Sequence, residues 1–169
     1  MKKLFEGLEE NDIVVTGNGS ACVVSFQAAE IKKGQRLFTN SGCASMGYGL
    51  PAALGACIAE GEKRVICLDG DGSLMMNLQE LQTIRYTNCN MKLFVLNNNG
   101  YHSIRQTQNN LFKNGLVGVC DGNGVNFPPF DKLADTFGFR YFKIDSLDGI
   151  EEKLQEVLNT DGPVLCEAI

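Results

Sequence analysis

The residues best placed to do chemistry are Asp71, inside Gly70-Asp71-Gly72-Ser73, and Asn98, inside Asn97-Asn98-Asn99-Gly100. Each group follows a short apolar run, "VICL" in the first case and "LFVL" in the second. Glycines on both sides of Asp71 let backbone approach a ligand closely and leave N–H groups free to meet phosphate oxygens. A carboxylate, an amide oxygen and a backbone carbonyl, completed by water and phosphate, make an all-oxygen shell that suits Mg²⁺ or Ca²⁺. Alone, "GDGS" reads as a tight turn and the asparagine run as an Asx-turn or helix cap. Paired at the ends of two buried strands, they read as a metal-bridged diphosphate site.

Such a site needs elements that bring two strand ends together. Apolar runs recur at 12–17, 64–70, 91–98, 139–145 and 163–169. They are apolar at successive positions, as in strands buried on both faces of a parallel sheet. Segments 46–61, 77–88, 130–138 and 147–159 space their apolar residues by three and four, as helices do. The pattern predicts an α/β fold, a doubly wound, mostly parallel sheet with helices on both faces, in one domain over 1–169. Ligands of such sheets sit outside the carboxyl ends of the strands, where both motifs fall. Asn77, with Glu80 three residues on, reads as a capping box, Ser146 as a second N-cap, and Gly61 and Gly138 as helix ends. Residues 107–130, rich in Asn and Gly and closed by Pro128-Pro129, read as a long loop able to cover a ligand.

Composition excludes several classes. A net charge of −5 and no Lys/Arg cluster argue against nucleic acid as a partner. Seven scattered cysteines without a C-x-x-C pair argue against a zinc site and a disulfide framework, and predict reduced thiols in a cytoplasm. No apolar run approaches the roughly 18 residues that span a bilayer, so no membrane partner is expected. Neither G-x-G-x-x-G after a first strand nor a P-loop is present.

The two motifs, separated by one helix and one strand, resemble the signature of thiamine-diphosphate-dependent enzymes. "NSGCASMGYGLPAALGACIA" (40–59) is similar to a stretch of the acetolactate synthases and their relatives, and "NGYHSIRQTQNNLF" to the segment after their asparagines. The resemblance covers nearly the whole chain, as the diphosphate-binding domain. It implies thiamine diphosphate and Mg²⁺ as cofactors, with Asp71, Asn98 and the carbonyl of Gly100 as metal ligands. It further implies that Gly70, Gly72 and Ser73 contact the diphosphate and that Asn18 and Gly19 line the site floor. Ala44, Ser45 and Met46 would meet the cofactor's rings, the Ala44 carbonyl receiving the 4′-amino group and Met46 wedging the cofactor bent. Tyr101 is counted with the cofactor-binding residues. His102, Ser103 and Arg105 lie close by without an assigned role.

Family members activate the cofactor with a glutamate of a pyrimidine-binding domain, so no catalytic residue is expected here and the isolated chain is expected to show no turnover. The implied function is one part of a 2-oxo acid decarboxylase or carboligase, acetolactate synthase-like. Its implied partners are a pyrimidine-binding domain, fused or separate, a 2-oxo acid, and further copies in a homodimer or tetramer. Any flavin would belong to a middle domain. The alternatives are the small subunit of a two-chain enzyme, like sulfopyruvate or phosphonopyruvate decarboxylase, and a non-catalytic phosphate-binding module. Relatives place an aromatic where this chain has Thr107, which implies an altered acceptor pocket.

Overall fold

The computed structural model describes residues 1–61, 63–112 and 115–169. The strands are β1 (Ile13–Thr16), β2 (Arg36–Phe38), β3 (Val65–Gly70), β4 (Met91–Leu96), β5 (Arg140–Ile144) and β6 (Val164–Ala168). They form one sheet in the order β2-β1-β3-β4-β6-β5, with every pairing parallel. The five predicted strands are all present. β2 is the addition: three residues at the sheet edge, exposed or half-buried, with no apolar run to announce it.

The helices are α1 (Lys2–Gly7), α2 (Ser20–Ala28), α3 (Gly49–Glu60), α4 (Asp71–Leu74), α5 (Glu80–Thr87), α6 (His102–Leu111), α7 (Phe130–Phe137) and α8 (Ile150–Asn159). Alternate strand residues point to opposite faces, which is why the central strands β1, β3, β4 and β6 are buried at nearly every position, whereas the edge strands β2 and β5 carry exposed Arg36, Arg140 and Lys143. Val15, Cys67 and Leu93 pack with Leu50, Leu81, Ile84 and Phe130 of α3, α5 and α7. Val14, Ile66 and Phe94 pack with Phe5, Ala21, Val157 and Leu158 of α1, α2 and α8.

Right-handed crossovers make this arrangement reverse direction. The chain runs from β1 outward to β2 across α2, then returns over the other face through α3 to β3. The crevice between β1 and β3 is therefore a switch point. Register completes the placement. Thr16 pairs with Leu68 and Gly70 with Leu96, so β3 and β4 end at one level, into Asp71 and Asn97, and β1 ends about two residues earlier, into Gly17–Gly19.

Three local expectations change. Asn77 caps no helix: it ends a 3-10 turn (Met75–Asn77), α5 follows without a side-chain cap, and its amide reaches the Gly47 carbonyl at 2.7 Å. The chain is already coiling from Asp71 onward, so α5 has no free entry to cap. Ser146 accepts the Asp148 N–H at 3.1 Å, and Gly149 precedes α8 instead. The expected loop over 107–130 begins later, because α6 continues to Leu111. Residues 113 and 114 of that loop lie outside the described residues. Gly61 and Gly138 end α3 and α7 as read.

Candidate functional site

Asp71 opens α4 and is 1% exposed. Its Oδ2 accepts the N–H of Gly100 at 2.9 Å and of Asn98 at 3.1 Å, and its Oδ1 accepts that of Gly72 at 2.7 Å. Burial pushes its carboxyl up, while the N–H donors pull against that. A cation beside it would favour the charged form. Both backbone groups of Asn98 are held, the N–H by Asp71 and the carbonyl by Arg105 Nη2 at 3.0 Å. Its side-chain Oδ1, in contrast, is buried without a partner.

Unpartnered buried polar atoms are few in folded proteins and ask for an explanation. Those on side chains of the described residues are Thr16 Oγ1, Asp69 Oδ2 and Asn98 Oδ1, at the carboxyl ends of β1, β3 and β4. All are oxygens. Asp69 is fully buried, and burial raises its carboxyl to about 6 against the pull of the Ser73 hydroxyl and the Gly70 N–H. Its neighbours had to be glycine: a Cβ on Gly17 would lie 2.0 Å from Asp69 Oδ1, and one on Gly49 2.6 Å from Oδ2.

Asn18, Gly19, Met46, Gly70, Asp71, Gly72, Ser73, Asn98, Gly100 and Tyr101 line one cleft of about 110 Å³. Ala44 and Ser45 stand outside its lining. The Ala44 carbonyl accepts Asn18 Nδ2 at 3.1 Å, and Ser45 is exposed with its Oγ 3.3 Å from Asn40 Nδ2. A pocket that encloses a drug-sized ligand takes about 300–1,000 Å³. The cleft thus holds part of such a ligand and leaves the rest uncovered.

Two glycines are fixed by close approach. A Cβ on Gly72 would fall 2.2 Å from Tyr101 Cε1. Gly100 has φ +130°, and a Cβ there would meet the Val119 carbonyl oxygen at 2.0 Å. Tyr101 in turn meets Phe127 edge-on, ring centroids 6.2 Å apart.

His102, Ser103 and Ile104 bring α6 into the cleft, whereas Thr107 is exposed one turn on, bonded to the Ser103 carbonyl at 3.0 Å. Sequence reasoning missed the part that three residues play at the site. Asp69 was visible as an acid at the end of an apolar run, Arg105 gave no signal of its reach to Asn98, and Asn77 was read as a cap. A larger cavity of about 900 Å³ opens at the β4–β6 end, but Glu167 there already accepts Asn97 Nδ2 at 2.6 Å and the Tyr141 hydroxyl. Of the three unpartnered oxygens, Asn98 Oδ1 belongs to the lining of the smaller cleft and marks it as the place for a ligand.

An all-parallel doubly wound sheet with an oxygen-lined cleft at its switch point defines a class of cofactor-binding α/β domains. Within that class, the chain belongs to the family described as thiamine pyrophosphate enzyme, C-terminal TPP binding domain, which matches residues 17–168. It is homologous to acetolactate synthase large subunits. Identity is 31% to isozyme 1 of Escherichia coli K12, over 94% of this chain and 28% of that protein. It is 34% to the mitochondrial catalytic subunit of Aspergillus candidus, over 100% and 24% respectively. A large subunit of Cyanidium caldarium is 35% identical over 85% of this chain. The chain spans about a quarter of the length of these relatives.

Proposed function

We propose that the cleft holds the diphosphate end of thiamine diphosphate through Mg²⁺, as one part of a 2-oxo acid decarboxylase or carboligase of the acetolactate synthase type. The observation that carries this reading is the buried, unpartnered Asn98 Oδ1 beside the Asp71 carboxylate. Two oxygens with free lone pairs suit a small hard cation, and Mg²⁺ takes much of its shell from phosphate. Asp71, Asn98 and the Gly100 carbonyl would hold the cation.

Gly70 and Gly72 keep side chains away from the diphosphate. The Ser73 hydroxyl accepts the Gly47 N–H, so Ser73 would meet the ligand through its N–H and its remaining hydroxyl proton. Asn18 and Gly19 would form the floor, Met46 and Tyr101 the walls, with Ser45 at the outer rim. The Ala44 carbonyl, which takes one donor from Asn18, keeps a second lone pair for an amino group. Bound thiamine diphosphate supplies the carbon centre that adds to a 2-oxo acid and takes up the electron pair released as CO₂ leaves. This chain's residues bind and orient it. Among the described residues Asp71 is the one acid lining the cleft, and it is held by three N–H groups, which supports a pyrimidine-binding domain as the source of the proton-moving group.

A partner would also cover apolar surface beside the cleft. The first turn of α2 lines the cleft, and further along α2 exposes Val23, Val24 and Phe26; Ile104 of α6 is exposed on the other side. A helix apolar all round is normally buried. Another domain, or a second copy in a homodimer or tetramer, would meet that need. All seven cysteines are free, which supports the cytoplasmic placement, and among the described residues no helix is long and apolar enough to cross a membrane.

Calorimetry tests the reading. Thiamine diphosphate is expected to bind with Mg²⁺ and not without it. Outer-shell changes alone cost about 10–100-fold in metal affinity, so Asp71→Ala, which removes a direct ligand, is expected to abolish binding. Equal uptake of ADP would instead mark a general phosphate-binding module.

A further inference from the structure

We infer that Asn77 is a positioning residue: with Ser73 it clamps the Gly47 peptide and so holds the Met46 turn at the cleft. The inference rests on the thiamine diphosphate reading for its purpose and on the geometry for its existence. Met46 lies in the irregular connection between β2 and α3, where few hydrogen bonds hold the backbone. The residue after it is fixed from both sides. The Gly47 N–H donates to Ser73 Oγ at 2.9 Å, and the Gly47 carbonyl accepts Asn77 Nδ2 at 2.7 Å.

The fit leaves no slack. With φ +80°, a Cβ on Gly47 would lie 2.7 Å from Met76 Cβ and 2.9 Å from Asn77 Nδ2. The turn is pressed backbone-first onto the 3-10 turn that ends in Asn77. The Asn77 amide is also oriented for this bond, because its Oδ1 accepts Gln79 Nε2 at 3.4 Å and Nδ2 is left to donate. No cap competes, since α5 has no side-chain cap. One element thus serves two ends of a ligand: it begins with Asp71 and Gly72 at the cation and finishes with Asn77 at the Met46 turn.

Asn77→Asp separates this role from a helix-entry role. An aspartate is at least as good as asparagine near the start of α5, so a capping or dipole role predicts unchanged or raised stability. A positioning role predicts failure, because a carboxylate oxygen would face the Gly47 carbonyl with no proton between them. The measurements are amide hydrogen exchange at Gly47 in the ligand-free chain, and calorimetry with Mg²⁺ plus either inorganic diphosphate or thiamine diphosphate.

In N77D the turn loses the bond at the Gly47 carbonyl, so the Gly47 amide, still paired with Ser73, is expected to open and exchange about tenfold more often, the worth of one hydrogen bond to the closed turn. Thiamine diphosphate is expected to bind about tenfold more weakly for the same reason. Inorganic diphosphate, which would meet Asp71, Gly72 and Asn98 and lacks the rings that would rest on Met46, is expected to bind as in the wild type. A merely structural role would not produce that split. Should N77D fail to fold, Asn77→Ala removes the donor without adding charge and reads the same quantities. Unchanged Gly47 exchange overturns the inference, as does equal weakening of both ligands. Lost Gly47 protection in a protein whose wild type takes up no thiamine diphosphate upholds the clamp and rejects the cofactor reading instead.

Discussion

Asp69 and Asp71 are two residues apart and both buried, yet their carboxylates have opposite surroundings. Asp71 is met by three N–H groups, whereas Asp69 receives the Gly70 N–H on Oδ1 and leaves Oδ2 unpartnered against the glycines packed on it. Without a cation, Asp69 makes a pH-dependent contribution to stability whose sign is fixed. Burial raises its folded pKa to about 6, while an unfolded aspartate titrates near about 3.9. Between those values the folded chain keeps a proton that the unfolded chain releases. The contribution is therefore complete below about pH 4 and is lost as pH rises through 6, by up to about 3 kcal/mol. Asp71, also raised by burial, acts in the same direction. Urea midpoints of the metal-free chain from pH 4 to 7 are expected to fall with pH, and Asp69→Asn to flatten that slope in part.

At the scale of elements, the two ends of the sheet divide stability from function. The carboxyl ends of β1, β3 and β4 leave oxygens unpartnered, whereas at the opposite end every donor of a buried lysine is satisfied. Lys92 of β4 is fully buried, and its Nζ donates to Asn90 Oδ1 at 2.6 Å and to the carbonyls of Thr160 and Gly162 at 2.5 and 2.8 Å. It ties β4 to the connection between α8 and β6. Lys92→Met removes three bonds and strands two carbonyls, so a loss of about 3 kcal/mol is expected in urea unfolding. Cofactor binding by the variant that remains folded is expected to be unchanged, because no atom of Lys92 lines the cleft.

For the whole molecule, the cleft's size and the uncovered apolar face of α2 set the limit on activity. About 110 Å³ accommodates a diphosphate end and not an enclosed reaction, and the chain spans about a quarter of its relatives. The isolated chain supplied with thiamine diphosphate, Mg²⁺ and pyruvate or another 2-oxo acid is expected to release no CO₂. Sustained release in a continuous decarboxylation assay would overturn that expectation and place a complete active site within these residues.

The parallel sheet was legible because burial on both faces leaves a mark at every strand position, as in "VICL" and "LFVL". The pairing of Asp71 with Asn98 was legible for the same reason, since both follow such runs. β2 and α6 left no comparable mark. β2 is a short edge strand, and α6, "HSIRQTQNNL", buries none of its residues, so neither needed an apolar pattern. Sequence alone determined the fold class, the family and the two turns that meet, because those depend on patterns along the chain. Tertiary structure alone decided that Asn98 Oδ1 is free, that Arg105 grips the Asn98 carbonyl and that Asn77 holds Gly47 rather than capping a helix. A side-chain amide satisfies whichever polar group folding brings within about 3 Å, and nothing local specifies which that is.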